Sequence, residues 1–508
     1  MNINSNLTTP HVLSKELKNA LNLYSKNILI SDVSVKLSGT KIKKIVKPII
    51  QSIEQATSAG DVVGVSLPHG ITQALAIIAV ILSNRVPIIF KENDTFDIIS
   101  QKEMSLLLTS CDDSRFLMIS KSDTNHGVIQ WVSQNDIEVS LKINKQIQTY
   151  NNLPSDVGMI LYTSGSTGKS HGVMIPADGT TFLANSLKNE FSLDQQTTST
   201  VILPLSHTMC INTLFFPTIL SGGNSWFAPT LSNIGSTYRN ILDSNGHNIA
   251  LISDLLTYMN QEKILRNLPP ATSIKTLTLS GGMISESDID IATTLFPNAQ
   301  IYIGYGLTEA TRIAITCIQN SSIAKKFKLE YRLLEGVDVQ IRDEQNDICK
   351  AGEAGNIFIR AKSVMKGYYN EDTTSIDQQG YLKSGDSGSL SHNGLLSIYG
   401  RTDGIIKING ERISTAYIEN IAMNHEKIKQ NYKKAACILA KRNGRSIIYI
   451  FLETLRGENS SSNLAMKELK QALKKKIKQR IEIVEKCHFP KSSNGKIMLN
   501  ELSKSLCK

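Results

Sequence analysis

Apolar residues along the chain come in short runs separated by polar turns. Residues 59–68 (AGDVVGVSLP) form one such run, bounded by Gly and Pro, which reads as a short buried strand. Residues 71–82 (ITQALAIIAVIL) follow as a helix, and residues 86–90 (VPIIF) as a second strand. Strand, helix and strand at this spacing predict a parallel sheet, because parallel neighbours need a crossover between them. The pattern recurs, with strands over 198–203, 250–253, 274–279 and 299–303 and helices over 212–220 and 285–296. No fixed-period repeat is visible.

The texture changes beyond about residue 330. Residues 337–341, 355–361 and 395–399 are short strands divided by Gly, Asn and Asp, the pattern of a small, mostly antiparallel β subdomain. Further on, Leu469, Leu473, Ile477 and Ile481 recur every four residues, opposite Lys474, Lys475, Lys476, Lys478 and Arg480. That spacing predicts an amphipathic helix over 462–481. The expected fold class is α/β. Layered α/β subdomains and a small β subdomain make a large N-terminal domain over residues 1–402. A small α+β C-terminal domain follows over residues 403–508.

Composition narrows the function classes. The 508 residues are 41% hydrophobic, enough for real cores, which excludes wholesale disorder. The longest apolar run is shorter than the ~18–20 residues that cross a bilayer. The N-terminus lacks the apolar core of a signal peptide, so a cytoplasmic location is expected. Seven cysteines stand singly and nine histidines lack ligand spacing, which argues against a disulfide framework and a zinc site. The net charge of +10 is unevenly placed. Residues 401–508 carry 23 basic and 10 acidic side chains, against 32 and 35 in the rest. Such a basic segment attracts polyanions: nucleotides, coenzyme phosphates or an acidic protein. It has no Trp and few Phe or Tyr, which disfavours nucleic acid.

The first chemical signal is YTSGSTGKS, residues 162–170, directly after the apolar strand 157–161. Thr163, Ser164, Ser166 and Thr167 offer hydroxyls, Gly165 and Gly168 let backbone N–H groups approach an anion, and Lys169 adds charge. The loop suits phosphate. It is not a Walker A loop, because the first glycine of that motif would fall on Thr163. Residues 171–176 also read as a strand, where a Walker A loop needs a helix.

Residues 162–173 resemble the phosphate loop of the adenylate-forming superfamily, which comprises acyl-CoA synthetases, peptide-synthetase adenylation domains and luciferases. Further segments resemble the family's motifs in the family's order. They are Pro204-Leu205-Ser206-His207, Ser280-Gly281-Gly282, GYGLTE from Gly304 to Glu309, Ser384-Gly385-Asp386, and Gly400-Arg401-Thr402-Asp403. KINGERI from Lys407 to Ile413 and PKSSNGKI from Pro490 to Ile497 complete the set.

The resemblance implies a two-step reaction. A carboxylic acid attacks Mg-ATP to give acyl-AMP, and the thiol of CoA or phosphopantetheine then takes the acyl group. It implies a catalytic set of Lys496, Glu309, Thr308 and Arg412, with Glu309 holding Mg²⁺. Residues 163–169, Gly281, Gly282, Tyr305, Gly306, Asp386 and Arg401 would bind ATP and AMP. A mobile C-terminal lid would turn about Asp403 and present Lys407 and Gly410 for the thiol step. His207, Thr208, Met283 and Gly304 would line the acyl pocket. Met283 and Cys210 suggest an apolar acid, aliphatic or aryl. Thr208 stands where amino-acid activators usually place Asp, which favours an acid without a free α-amine. A carrier protein, if used, would be a separate chain, since no carrier segment follows Lys508. Stand-alone loading of an amino acid or acyl group on such a carrier is the alternative within this class. A non-catalytic nucleotide-binding relative is the alternative outside it. One departure bears on ATP: the family's Pro-Lys is Ser170-His171 here, so either His171 or Lys169 must supply the charge beside the phosphates.

Overall fold

The computed structural model describes residues 12–91, 106–110, 127–132, 138–145, 153–154, 156–163, 170–229, 236–282, 284–318, 329–371, 375–408, 411–423, 425–442, 445–454, 463–477, 480–490 and 497–506. Two large sheets carry most of the chain. In the seven-stranded sheet, Leu106–Ser110, Val62–Ser66, Val86–Ile89 and Val157–Tyr162 run parallel. Glu138–Lys145 and Gly127–Val132 close one edge antiparallel, and Gly172–Pro176 closes the other. The helix Ile71–Leu82 has the bounds that its apolar run predicts. It is apolar on nearly every face because it shares one core with strands from both sheets.

The thirteen-stranded sheet has Lys36–Ser38 as an antiparallel edge strand, followed by a parallel array from Ile28–Ser31 through Asn224–Phe227, Thr198–Val201, Asn248–Ile252 and Thr276–Ser280 to Gln300–Tyr305. It then continues antiparallel through Ala314–Ile318, Tyr331–Leu333, Leu395–Arg401, Leu382–Leu390, Gly355–Arg360 and Asp338–Arg342. The antiparallel strands expected as a subdomain of their own are therefore an extension of the parallel sheet. The reason is local. Gln300–Tyr305 turns back on itself into Ala314–Ile318, so the edge that would have ended the parallel array is paired.

Two helical expectations change. Residues 212–220 are not one regular helix: Thr208–Cys210 and Phe216–Leu220 flank a π-helical turn over Ile211–Phe215. The helix expected over 462–481 is Asn463–Lys476, and Ile481 opens the strand Ile481–Lys486. Ile477 and Ile481 are buried in the same core as Leu469 and Leu473, so the four-residue spacing marks a shared core rather than a continuous helix. This core, with Ile418, Ile448 and Ile450, is distinct from the N-terminal one. It lies between the helices Thr415–Met423 and Asn463–Lys476 and a three-stranded sheet of Tyr432–Arg442, Arg445–Thr454 and Ile481–Lys486. Lys434 of that unit reaches Asp254 of the large one at 2.7 Å.

Candidate active site

The antiparallel pair Val157–Tyr162 and Gly172–Pro176 holds the two ends of the glycine-rich loop together. Thr163 N–H donates to His171 O at 2.9 Å, His171 N–H donates to Thr163 Oγ1 at 3.2 Å, and the Ser170 hydroxyl donates to Thr163 O. A strand, not a helix, follows the loop, which bears out the exclusion of a Walker A fold. Ser164, Gly165, Ser166, Thr167, Gly168 and Lys169 themselves lie outside the described residues, as do Met283, Gly410 and Lys496. Of Asp403, Lys407 and Arg412 only the backbone is described; Lys407 and Arg412 are paired in the hairpin Ile405–Ile408 with Glu411–Ser414.

The His171 ring turns to an acidic partner that sequence reading did not find. Its Nδ1 lies 2.8 Å from Glu371 Oε2, and its ring is 5.1 Å from that of Tyr368. Glu371 and Tyr368 stand about two hundred positions away, and no local spacing marks them. They arrive because the segment after Val364 runs antiparallel beside Gly172–Pro176: Tyr369 N–H donates to Gly172 O at 2.6 Å and Lys366 N–H to Met174 O at 2.8 Å. A proton on His171 would therefore be neutralised by Glu371. The other candidate is Lys169, the lysine of the loop by sequence, which lies outside the described residues. Lys169→Ala is expected to raise KM for ATP by about tenfold or more, the scale of one hydrogen bond to a charged group. His171→Ala should mainly lower the melting temperature. Titrating ATP in exchange assays on both variants checks this, and a larger KM effect at His171 would reverse the assignment.

The same segment reaches Glu309. Tyr368 Oη donates to Glu309 Oε1 at 3.0 Å, and Met365 N–H donates to Glu309 O at 2.8 Å. Burial, and then the Glu309 carboxylate, push the Tyr368 phenol well above its ordinary range, so it stays a proton donor at neutral pH. Thr308 and Glu309 sit on a turn closed by Leu307 N–H to Ala310 O at 2.9 Å and Ile313 N–H to Tyr305 O at 2.9 Å. Glu309 is half-buried and has one oxygen committed to Tyr368. No group of three or more His, Cys, Asp or Glu side chains that could hold a metal ion occurs among the described residues. A lone carboxylate beside a phosphate-suited loop fits Mg²⁺, which takes few protein ligands and completes its shell with phosphate oxygens and water.

At the end of Gln300–Tyr305, Tyr305 Oη donates to Asp386 Oδ2 of Leu382–Leu390 at 2.7 Å, which holds both side chains in place. Burial and the Asp386 charge raise the Tyr305 phenol well above its ordinary value. Arg401 pairs with Asp386 in register, places Nη1 3.8 Å from Oδ1, and donates to Ser384 O at 3.1 Å. Gly385, at φ +75°, allows this: a Cβ there would lie 2.8 Å from the Arg401 guanidinium. An ionised carboxylate only accepts hydrogen bonds, which suits Asp386 to a ribose hydroxyl.

Around the expected acyl pocket the picture shifts. Thr208 Oγ1 lies 2.8 Å from Thr311 Oγ1 and accepts from Asn212 Nδ2 at 3.1 Å, so the π-helical turn carries a polar network to this face. His207 is exposed and closes the turn through its backbone, with His207 N–H to Pro204 O at 3.0 Å. Cys210 is fully buried and its thiol donates to Leu203 O at 2.8 Å, so it does not line an open pocket. The apolar-acid expectation thus loses one of its two supports, and the other, Met283, lies outside the described residues. The space above Gly304 is filled by the guanidinium of Arg312, a residue that sequence reading passed over. Gly281, at φ +96°, and Gly282 give a bare turn at the end of Thr276–Ser280; a Cβ at Gly282 would meet nothing within 4 Å.

Residues 37–369, which span the loop neck, Tyr305 and Glu309, match the sequence profile of the family described as AMP-binding enzyme. The chain belongs to that family. Among its relatives is the 4-coumarate–CoA ligase-like protein 2 of Arabidopsis thaliana, 25% identical over 357 residues, which are 69% of this chain and 61% of that protein. The D-alanine–D-alanyl carrier protein ligase of Listeria monocytogenes is 28% identical over 382 residues, 69% of this chain and 70% of that one. The chain therefore spans about three fifths of the first relative's length. Among solved structures, the O-succinylbenzoate coenzyme A synthetase of Bacillus subtilis in complex with AMP superposes with a TM-score of 0.75 at 19% identity, over 96% of this chain and 97% of that one. ATP-bound MatB from Rhodopseudomonas palustris gives 0.78 at 16% identity, over 97% and 98%. These structures share the α/β fold expected from the sequence. No helix among the described residues is long and apolar enough to cross a membrane.

Proposed function

We propose that this AMP-binding enzyme is an AMP-forming acid–thiol ligase. One observation carries the reading. Tyr368 and the segment around it join the neck of the phosphate loop to Glu309, while Tyr305, four residues before Glu309, is joined to Asp386. These links support a reading in which the loop takes phosphate, Glu309 the cation and Asp386 the ribose of a nucleoside triphosphate. The relatives named as CoA ligases and carrier protein ligases support the same class of reaction.

In the first step an oxygen of the substrate carboxylate attacks the α-phosphorus of ATP. The bond to the β-phosphate oxygen breaks, and pyrophosphate leaves with that electron pair. Residues 163–169 hold the β- and γ-phosphates and Asp386 fixes the ribose. Tyr305 presents its ring to adenine while its hydroxyl stays on Asp386. Glu309, held by Tyr368, would keep Mg²⁺, whose charge offsets that of the phosphates. Residues 1–402 form the nucleotide and acyl domain. Residues 403–508 form a lid that turns about Asp403, bringing Lys496 to the first step and Lys407 and Gly410 to the second. There a thiol of CoA or phosphopantetheine attacks the acyl carbon, and AMP leaves. The protein supplies position and charge compensation, as phosphoryl transfer generally requires.

ATP–pyrophosphate exchange over a panel of carboxylic and amino acids tests this reading. Acid-dependent exchange, followed by thioester formation with added CoA or a carrier protein, is the expected result. Nucleotide binding with no exchange for any acid would instead identify a non-catalytic relative.

A further inference from the structure

Arg312 is a buried charge close to the site. It is 5% exposed, and its Nη1 has no hydrogen-bond partner among the described residues. Burial pulls its pKa down to about 10, which still leaves a full cation at neutral pH. Among the described residues, the ionisable group acting on it is Tyr331, whose phenol is itself pushed up to about 12 by burial and so brings no negative charge. Arg312 also holds a left-handed backbone, φ +41°, which a non-glycine residue adopts at a cost. A buried cation with no acidic partner among the described residues is destabilising, and an Arg fork is built to bind a carboxylate.

Its position says what would bind there. Arg312 follows Glu309 by three residues, lies over Gly304 and against Gly306, and is next to Thr311 of the hydroxyl network with Thr208. We propose that Arg312 is the specificity determinant for a second anionic group on the acid, so that the substrate is a dicarboxylic acid. This rests on the acid-activating reading above. The reacting carboxylate is a poor fit for the guanidinium, because a bidentate clamp would tie up the lone pairs that attack phosphorus, and adenylation removes its charge. A second carboxylate keeps its charge through both half-reactions and answers Arg312 throughout.

Matched pairs of acids test this: succinate against butyrate, and glutarate against valerate. Each is measured in ATP–pyrophosphate exchange and, without ATP, by the shift in melting temperature. The native protein should use each dicarboxylate with a kcat/KM at least about 100-fold above its partner. In Arg312→Met that ratio should collapse by about the same factor, while Arg312→Lys, which keeps the charge, should retain the preference with a raised KM. A native preference for the monocarboxylates, or an equal loss for both acids in Arg312→Met or Arg312→Lys, would overturn the proposal. If no acid supports exchange, the ligase reading fails on its own. The melting shift then decides: dicarboxylates should stabilise the native protein but not Arg312→Met, and no such difference would also refute the role of Arg312.

Discussion

Replacing Lys496 with alanine is expected to lower acid-dependent ATP–pyrophosphate exchange by about 10²–10³-fold, the usual cost of removing one preorganised charge from a transition state. Thioester formation from supplied acyl-AMP should remain within a fewfold of native. The lysine is assigned by its motif to the bridging of carboxylate and α-phosphate oxygens, charges that are present together only in the first step. Its loop has firm ends. Met498 N–H donates to Pro490 O at 2.8 Å, and Phe489 N–H donates to the buried Glu453 Oε1 at 3.0 Å, which ties the loop base to the C-terminal sheet. Measuring the half-reactions separately on one preparation gives the answer. An equal loss in both, with the melting temperature unchanged, rejects the assignment.

Asp386→Ala is expected to raise KM for ATP by roughly ten- to a hundredfold and to lower stability by about 1–3 kcal/mol. Two causes act together. The carboxylate is the acceptor for Tyr305 Oη and the neighbour of the Arg401 guanidinium, so its removal strands a buried hydroxyl and loosens a cation. It is also the acceptor assigned to the ribose. Tyr305→Phe separates them, because it deletes the hydroxyl and leaves the carboxylate for the nucleotide. That variant should keep KM for ATP within a fewfold of native. Calorimetric melting and ATP titration of both variants distinguish the outcomes, and a native KM in Asp386→Ala would remove Asp386 from the nucleotide site.

Local patterns settled a large part of this molecule. The helix Ile71–Leu82 is visible because ten of its first eleven positions are buried and so must be apolar or small, with Gln73 as the polar exception. The strands on either side are visible for the same reason, and the loop at residues 162–170 because glycine, hydroxyl and lysine in that order have few other uses. GYGLTE announced Tyr305, Thr308 and Glu309, and Ser384-Gly385-Asp386 announced the acceptor that Tyr305 meets. Each of these is a property of consecutive residues. The sequence thus determined the α/β class and the family, and it supplied most of the residues proposed for ATP.

The tertiary structure decided which distant residues complete them. Tyr368 and Glu371 reach Glu309 and His171 only because their segment adds beside Gly172–Pro176. That pairing depends on the antiparallel extension of the large sheet, which no local period encodes. Ile481 fits a helical spacing yet opens a strand, because a four-residue interval serves any core that both elements border. Arg312 reads as an ordinary surface arginine until the hairpin of Gln300–Tyr305 and Ala314–Ile318 folds it over Gly304. Composition fixes how many charges the chain carries, but only packing determines which of them lose water and so need a partner.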